Sequence, residues 1–532
     1  MTKEPEVISR EDLVKSLLEQ NYLPNHTHDR SEMPPLFGVS NFGSTLAAYF
    51  NDLASPGPGV GGIRFDAVTY RLTRFNGLHR NMGIPHPVAY GRLVDEIGKH
   101  WDSELQPTLA LNSNSQFPIR LHNDGRIASM QYDKNTPNTP SASRLHHNDD
   151  TDLADIHAIK ALGKRYKVTS DIANFYPSLY THSIGWAAVG NSDAKRQQND
   201  RHIWFNRLDA ATRDCKRGET VGLLTGPGTS TIIAEYVLGA VDRRLASDHL
   251  RFVDDYVFYA ETREDADGYL YKLASTLREF SLELNPGKTS VVPLPSPVRP
   301  RWLRDMNQKR PMPRASSSDI VDYIDDGLDL AQNDPLSSAV KLAMNRIVES
   351  RFLPKGFDAG NRLLSLVGAY PNVMPGIATL ASRGAIDRSV YEGYMLSLVS
   401  EMAAGARSDG LVWSLYVAQL LNIKVTDDVF ESVLRSEDPA SLAFLSILRP
   451  DRSPSLVDFY TSRAATLSEA DALWLLGYEL YINGYIQSPL AHIPQPSDAR
   501  EKRGWDVRSA GFELLKESNV AFIKQDSQKK VP

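Results

Sequence analysis

"RFVDDYVFYA", Arg251 to Ala260, sets two adjacent carboxylates, Asp254 and Asp255, inside a run of Phe, Val and Tyr that otherwise favours a β-strand. Asp is a common turn residue, so a hairpin reversing across Val253 to Tyr256 accounts for the pattern by itself. Neighbouring like charges repel, however, and beside low-dielectric walls one of them is driven toward protonation unless a cation lies between them. A divalent metal ion removes that conflict, and a hairpin tip is a good place to present carboxylates to one. The two readings are compatible. What decides between a plain turn and a metal site is whether another segment supplies a third carboxylate.

At 532 residues the chain is too long for one ordinary core, so two or three domains are expected, and 41% hydrophobic with 23% charged is a globular composition. A single cysteine, Cys215, excludes an internal disulfide and a Cys-based zinc cluster and fits a reducing compartment. The start, "MTKEPEVISREDLV", lacks the apolar core of a signal peptide, and no apolar run is long enough to span a bilayer, so the expectation is a cytoplasmic protein with no membrane partner. The net charge of −6 argues against a surface that binds nucleic acid everywhere. A local exception is "GGIRFDAVTYRLTRFNGLHRNMGIPH", where Arg64, Arg71, Arg74 and Arg80 face a single Asp66 among aromatic residues. That composition suits phosphate contacts, and it equally suits a solvated face with scattered arginines.

A third carboxylate is found upstream. In "RYKVTSDIANFYPSLYTHSIGWA" an alternating run from Tyr166 ends at Ser170 and Asp171 before aromatic and helical residues. An Asp at a strand end projects its carboxylate over the sheet's edge, although the same residue also suits a helix N-cap. Met in space with Asp254 and Asp255, it completes an oxygen-rich site for Mg²⁺. Between the two segments, "ETVGLLTGPGTSTIIAEYVLGAVDRRL" carries Gly222, Gly226 and Gly228, which let backbone approach a substrate closely, and from Ser230 it reads as an amphipathic helix.

The rest of the chain divides coarsely. A helix is expected around Arg10 to Gln20 and another near Val88 to Trp101, with a long polar loop in "NDGRIASMQYDKNTPNTPSASRLHHNDDTD". Strand-like and helical runs alternate from Lys164 to Val292. Six prolines between Pro293 and Pro313, beside several Lys and Arg, mark a stiff basic linker and the best domain boundary. Past it "SSAVKLAMNRIVESRFL", "SVYEGYMLSLVSEMAAGA", "DGLVWSLYVAQLLN" and "EADALWLLGYELYING" have helical spacing. Asp409, Trp413 and Tyr416 in one of them echo Asp471, Trp474 and Tyr478 in another, a hint of stacked helical hairpins whose aromatics are expected in the core.

This order of elements resembles the reverse transcriptase family over about Arg64 to Val292: "DIANFYPSLY" at a strand end, "LLTGPGTSTIIAEYVL" as a loop and helix, the "FVDD" hairpin, then "LELNPGKTSVV". The "GPGTS…AEYVL…D" pattern with "DIANFYPSLYTH" is similar to the bacterial abortive-infection members and their antiphage-defence relatives. The resemblance implies an α+β fold: reverse-transcriptase-like fingers and palm over 1–300, then an all-α, HEAT-like helical array over 314–532. It implies Asp171 and Asp254 as the main metal ligands with Asp255 in support, and two Mg²⁺ ions for which Mn²⁺ can substitute. Tyr176 matches the aromatic gate against a ribose 2′-hydroxyl, with Phe175 the second candidate. Gly226 and Ser230 stand in the middle nucleotide-binding motif, Lys288 matches the lysine near the triphosphate, and Arg71, Arg74 and Arg80 are all candidates for phosphate contacts from the fingers.

As partners the resemblance implies dNTPs, a single-stranded DNA product attached covalently to a tyrosine, and a homo-oligomer. N-terminal Tyr22 and Tyr49 are the tyrosines placed to be flexible. Leu224-Thr225-Gly226 replaces the usual Pro-Gln-Gly, and loss of that Gln leaves use of an RNA or DNA template open. The rival readings are a templated enzyme of retron or group II intron type and an inert scaffold. A P-loop ATPase is set aside because "NPGKTS" lacks the required glycine at Leu282 and the motif order is reversed.

Overall fold

The computed structural model describes residues 7–24, 32–55, 62–74, 78–122, 125–128, 149–311, 315–335, 337–349 and 359–524. Near the N-terminus, α1 (Arg10–Lys15) is capped by Ser9, whose hydroxyl accepts from Asp12 N, and runs on as a wider turn to Gln20. Strand β1 (Phe37–Ser40) and helix α2 (Ser44–Ala54) follow. The arginine-rich segment is a β-hairpin, β2 (Val68–Thr73) against β3 (His79–Ile84), and leads through His86 into α3 (Pro87–Lys99), where Pro sits at the first helical position. The long polar stretch expected as a loop lies mostly outside the described residues. Its last residues, Asp149 to Asp152, instead begin a helix, α4 (Asp149–Ala161). Carboxylates in a first turn favour a helix N-terminus, so the Asp-rich end of that loop is a start signal.

The central sheet forms next. Strand β4 (Tyr166–Asp171) precedes a buried helix α5 (Gly228–Leu245), and the quoted stretch supplies β5 (Leu250–Phe252) and β6 (Asp255–Ala260). After α6 (Arg263–Glu279), started by a reciprocal Thr262–Asp265 capping box, comes β7 (Ser290–Pro293). The four strands are antiparallel in the order β5-β6-β4-β7. Register pairs Val168 with Phe258 and Ser170 with Tyr256, which puts these side chains on the face covered by α5 and α6, where Phe258 stacks on Tyr269 at 4.2 Å. The opposite face carries Lys167, Thr169 and Asp171 beside Tyr259, Val257 and Asp255. Helix α5 is not amphipathic as expected: only Thr231, Arg243 and Arg244 escape burial. Two layers pack on it, so its charged Glu235 and Asp242 are inside.

Beyond the Pro-rich segment, which holds α7 (Arg301–Gln308), the described chain is helical until a last strand. That helical part is welded to the N-terminal hairpin through α8 (Ser408–Leu420), α9 (Trp474–Ile482) and α10 (Ala499–Glu517). Asp409 accepts from Thr73 N and Oγ1, both at 2.9 Å, and Ser408 Oγ accepts from Arg71 N. Asp471 accepts from Asp66 N at 3.1 Å and pairs with Arg508, whose guanidinium lies over Phe65 at 4.3 Å and donates to Arg64 O. Trp474 donates to Ile84 O. The two Asp-Trp-Tyr echoes therefore do parallel work, one sending a buried carboxylate to the hairpin's backbone and the other to the segment just before it. Finally β8 (Ala521–Ile523) pairs with β1, and Tyr22, Tyr90, Trp474 and Phe522 form one aromatic cluster, so chain start and chain end share a core.

This cluster corrects one expectation. Tyr22 is fully buried and donates to Pro85 O, and burial raises its phenol pKa, so it is no flexible nucleophile. Tyr49 stands half exposed on α2.

Glu479 on α9 is buried, and that burial, opposed by a side-chain hydrogen bond with Asn483, pushes its pKa from 4.5 up to about 8. Between those values the folded chain holds a proton that the unfolded chain releases, so stability falls as pH rises through this window. Glu479→Gln should remove that slope, worth on the order of 4 kcal/mol across the window, in denaturant midpoints measured at pH 5 and pH 8.

Candidate active site

Strand β4 ends and β6 begins at the same level, so Asp171 sits directly opposite Asp255. The link from β5 to β6 is only Val253 and Asp254, and Val253 takes a left-handed φ of 58° to make the reversal. Asp254 O accepts from Ile172 N at 3.2 Å, which ties the tip to the residue after Asp171. Asp171, nearly buried, accepts from Asn285 Nδ2 at 3.0 Å and from Lys288 Nζ at 2.6 Å, both in the turn before β7. The three carboxylates expected from sequence are thus brought together at the rim of the sheet.

Their electrostatics show the crowding. Partial burial pushes Asp255 up to about 6, with the negative charges of Asp254 and Asp171 adding and Lys288 opposing. Asp254 is raised for the same first reason, with Asp171 again contributing. Burial works against the charge on Lys288, but its hydrogen bond to Asp171 and the surrounding carboxylates outweigh this and raise its pKa. One ammonium is therefore short of what three carboxylates call for. Among the described residues no three His, Cys, Asp or Glu side chains, these three carboxylates included, are arranged so as to hold a metal ion by themselves. An open platform of hard oxygens is nevertheless the donor set Mg²⁺ uses when substrate phosphates and water complete its shell.

Beneath the tip lies a residue that the sequence reading passed over. Arg251 is fully buried, pairs with Glu235 through both terminal nitrogens at 2.8 and 3.1 Å, and with Asp242 through Nε at 2.8 Å. It also donates to Val253 O at 3.0 Å, gripping the left-handed residue of the turn itself. His249 and Ser115 complete the network on Asp242 and Glu235. A usable signal existed: Glu235 and Asp242, seven residues apart, share one face of an otherwise apolar helix and call for a cation.

Residues 119–333 match the family described as reverse transcriptase (RNA-dependent DNA polymerase). This segment, about two-fifths of the chain, is similar to reverse-transcriptase domains. The match starts downstream of the β2–β3 hairpin and runs through the Pro-rich segment to Asn333, the end of the next helix, so it is offset from the Arg64 to Val292 span of the sequence resemblance. No curated protein matches the chain. Among solved structures it is similar to telomerase from Candida tropicalis: a form truncated of its C-terminal domain (15% identity, TM-score 0.26, 44% of this chain and 51% of that one). A complex with the TWJ fragment of telomeric RNA has 12% identity and a TM-score of 0.29 over 70% and 62%, and the apo form 11% and 0.28 over 76% and 70%. The chain spans about half the length of the truncated telomerase.

Around the carboxylates the remaining candidates separate. Tyr176 is half-buried, within electrostatic reach of Asp254, Glu235 and Arg80, and burial pushes its phenol up to about 12. Phe175 points into the core, 3% exposed, and so is placed away from the site. Gly226 (φ 128°) packs so closely that a Cβ would meet Pro24 at 2.9 Å, and Thr225 O accepts from Gly83 N, tying this loop to β3. Ser230 is buried and donates to Leu224 O, a loop-fixing role and not one facing the carboxylates. Of the arginines, Arg80 on β3 lies within electrostatic reach of Asp254, Tyr176 and Arg74. Arg71 pairs across the hairpin with Asn81, one residue out of phase with Arg80, so it is on the other face, with its backbone held by Ser408.

Arg251→Met should leave Glu235 and Asp242 buried without their cation and lower stability by about 3–5 kcal/mol. Replacing all three by apolar residues of similar size should recover most of that loss in denaturant titrations.

Proposed function

We propose that this chain is a DNA polymerase of reverse-transcriptase type acting in phage defence by abortive infection, which adds dNTPs by two-metal nucleotidyl transfer, without requiring a template and starting from a protein tyrosine. The convergence of Asp171, Asp254 and Asp255 at one sheet rim carries the polymerase part of this reading. The defence and priming parts are supported by the "GPGTS…AEYVL…D" and "DIANFYPSLYTH" patterns and by the helical region that follows the domain in place of further catalytic units. Template independence is supported by the missing Gln at Leu224-Thr225-Gly226. A homo-oligomer belongs to the same reading.

Mg²⁺ held by Asp171 and Asp254, with Asp255 beside them, supplies Lewis-acid polarisation of the attacking hydroxyl and of the phosphoryl oxygens. The chain's own groups do the rest by position and charge. Lys288, kept protonated by its carboxylate neighbours, offsets charge developing on the phosphates. Arg80 and Arg74, at the turn end of the hairpin, face the same charge. Tyr176 closes the floor beneath the sugar. Of the two N-terminal tyrosines only Tyr49 keeps an exposed hydroxyl-bearing ring; Tyr22 is sealed in the core.

Purified protein incubated with labelled dNTPs and Mg²⁺, without primer or template, should become covalently labelled, and mass spectrometry of protein isolated from cells should show attached nucleotides. Incorporation that demands added primer and template RNA would instead establish the retron or intron type, and complete silence the inert scaffold. Asp254→Ala should lower incorporation by about three orders of magnitude with the thermal transition retained. Tyr176→Val should raise ribonucleotide use relative to dNTPs by about 10–200-fold in competition assays, the size expected for opening a side-chain-sized contact.

A further inference from the structure

The face of the central sheet away from α5 and α6 is only partly covered. Helix α4 lies along it, with His157 stacked on Phe252 at 5.7 Å and its Nδ1 2.7 Å from Tyr259 Oη. Between helix and sheet a cleft of about 310 Å³ opens from Asp255, lined among others by Lys288, Phe252, Thr169, His157 and Lys167. Its polar side is a row. Lys167, Thr169 and Asp171 alternate along β4 on one face, and Ser290 of β7 sits beside Thr169 with their hydroxyls 2.8 Å apart.

Lys167 is the anomaly in this row. Its neighbours along the chain are matched with carboxylates, Lys160 with Asp248 and Lys164 with Glu261. Lys167 is half-buried and has no carboxylate or other hydrogen-bond partner among the described residues. The burial lowers its pKa, and the same charge together with burial pushes His157 down to about 4, so the imidazole is neutral and takes no part as a second cation. A desolvated ammonium without a counter-charge is a cost that folding alone does not explain, and it is removed by an anion in the cleft.

We propose that this cleft is a track for the strand being extended, in which Lys167 binds a backbone phosphodiester behind the 3′ end while the Thr169 and Ser290 hydroxyls line the path to Asp255. Spacing supports a strand over a free anion. Four residues separate Lys167 from Asp171, about 13 Å along a β-strand. A stacked strand advances about 3.4 Å per nucleotide, so the ammonium meets a phosphate about four nucleotides from the reacting end. The phosphodiester is common to DNA and RNA, and Lys167 reads neither sugar nor base. The inference rests on the polymerase reading of the carboxylates and adds the acceptor's chemistry to it.

The test is equilibrium binding of 5′-labelled single-stranded DNA and RNA oligonucleotides to the full chain by fluorescence anisotropy across a salt series. Lys167→Met should weaken binding several-fold at low salt and reduce the salt-dependence slope by about 0.7, one single-strand phosphate contact, with Lys167→Arg restoring the slope. A neutral methylphosphonate moved along the oligonucleotide probes the unaltered protein: one position, about four from the 3′ end, should reproduce the loss and add nothing in Lys167→Met. Wild-type slope and affinity in Lys167→Met, or equal tolerance of methylphosphonate at every position, overturns the track. The DNA and RNA arms separate the two strand types. Binding that depends on Lys167 with no dNTP incorporation would sink the polymerase reading and leave the track standing; incorporation with no Lys167 dependence would do the reverse.

Discussion

Asp171 and Asp255 are paired residues of one antiparallel ladder, and the placement of every other group at the site follows from that register. A slip of one residue would turn Asp171 toward α5 and α6 and put Ser170 at the rim. The register is pinned from both sides. Val168, Tyr256 and Phe258 fill the helix-covered face, and β7 adds Ser290 and Pro293 against Thr169 and Tyr166 on the other edge. Burial at that rim raises the energy of the ionised forms of Asp254 and Asp255, and the neighbouring carboxylates add to it. The fold answers from the side with Lys288. A buried guanidinium, that of Arg251, is committed to Glu235 and Asp242 and so holds the turn without neutralising the rim.

The helical half of the chain bears on the site through the β2–β3 hairpin. Asp409 receives a backbone N–H of the hairpin and Asp471 one from Asp66 just before it, and Trp474 donates to the hairpin's last residue. Gly83 of the same hairpin is bonded to Thr225 in the glycine loop. The result is a continuous path of hydrogen bonds from the C-terminal helices through the hairpin to the loop that precedes α5. Arg80 is therefore presented to Asp254 from a strand anchored at its far end, at Gly83 and Ile84. The cost of burying Asp471 is met by Arg508, which also covers Phe65, so one side chain joins the far end of the chain to the start of the hairpin.

Much of the acidic rim was legible because its composition is local. An acidic pair in an aromatic strand and an Asp at another strand end announce themselves by composition, and the alternation of Tyr166 to Asp171 gave the correct face. Helices expected around Arg10 and near Val88 are present, as Arg10–Lys15 and Pro87–Lys99. What escaped the sequence was whatever depends on which surfaces meet. Tyr22 reads as a terminal tyrosine and is in fact the centre of an aromatic cluster closed by Phe522, five hundred residues on. Phe175 and Tyr176 are adjacent aromatics, and only packing sends the first into the core. Three arginines of similar spacing differ because hairpin register puts Arg71 and Arg80 on opposite faces. The Asp-Trp-Tyr echoes were read as core aromatics, correctly, but their aspartates have partners three hundred to four hundred residues away, beyond any local pattern.

Val253 shows how the turn is held. A β-branched residue in the left-handed region costs roughly 1–2 kcal/mol, and Gly would adopt the same φ without strain. Gly would also leave the tip free to move, since its backbone has no preference to defend. With Val, the reversal is maintained from outside, by Arg251 on the Val253 carbonyl and by Ile172 N on the Asp254 carbonyl. Both restraints originate in the core, one from the α5 ion network and one from the strand that carries Asp171. Strain in the turn is thus coupled to the same two elements that fix the opposing carboxylate. Loosening either element shifts Asp254 and Asp255 relative to Asp171, and the proposed two-metal chemistry would tolerate such a shift poorly.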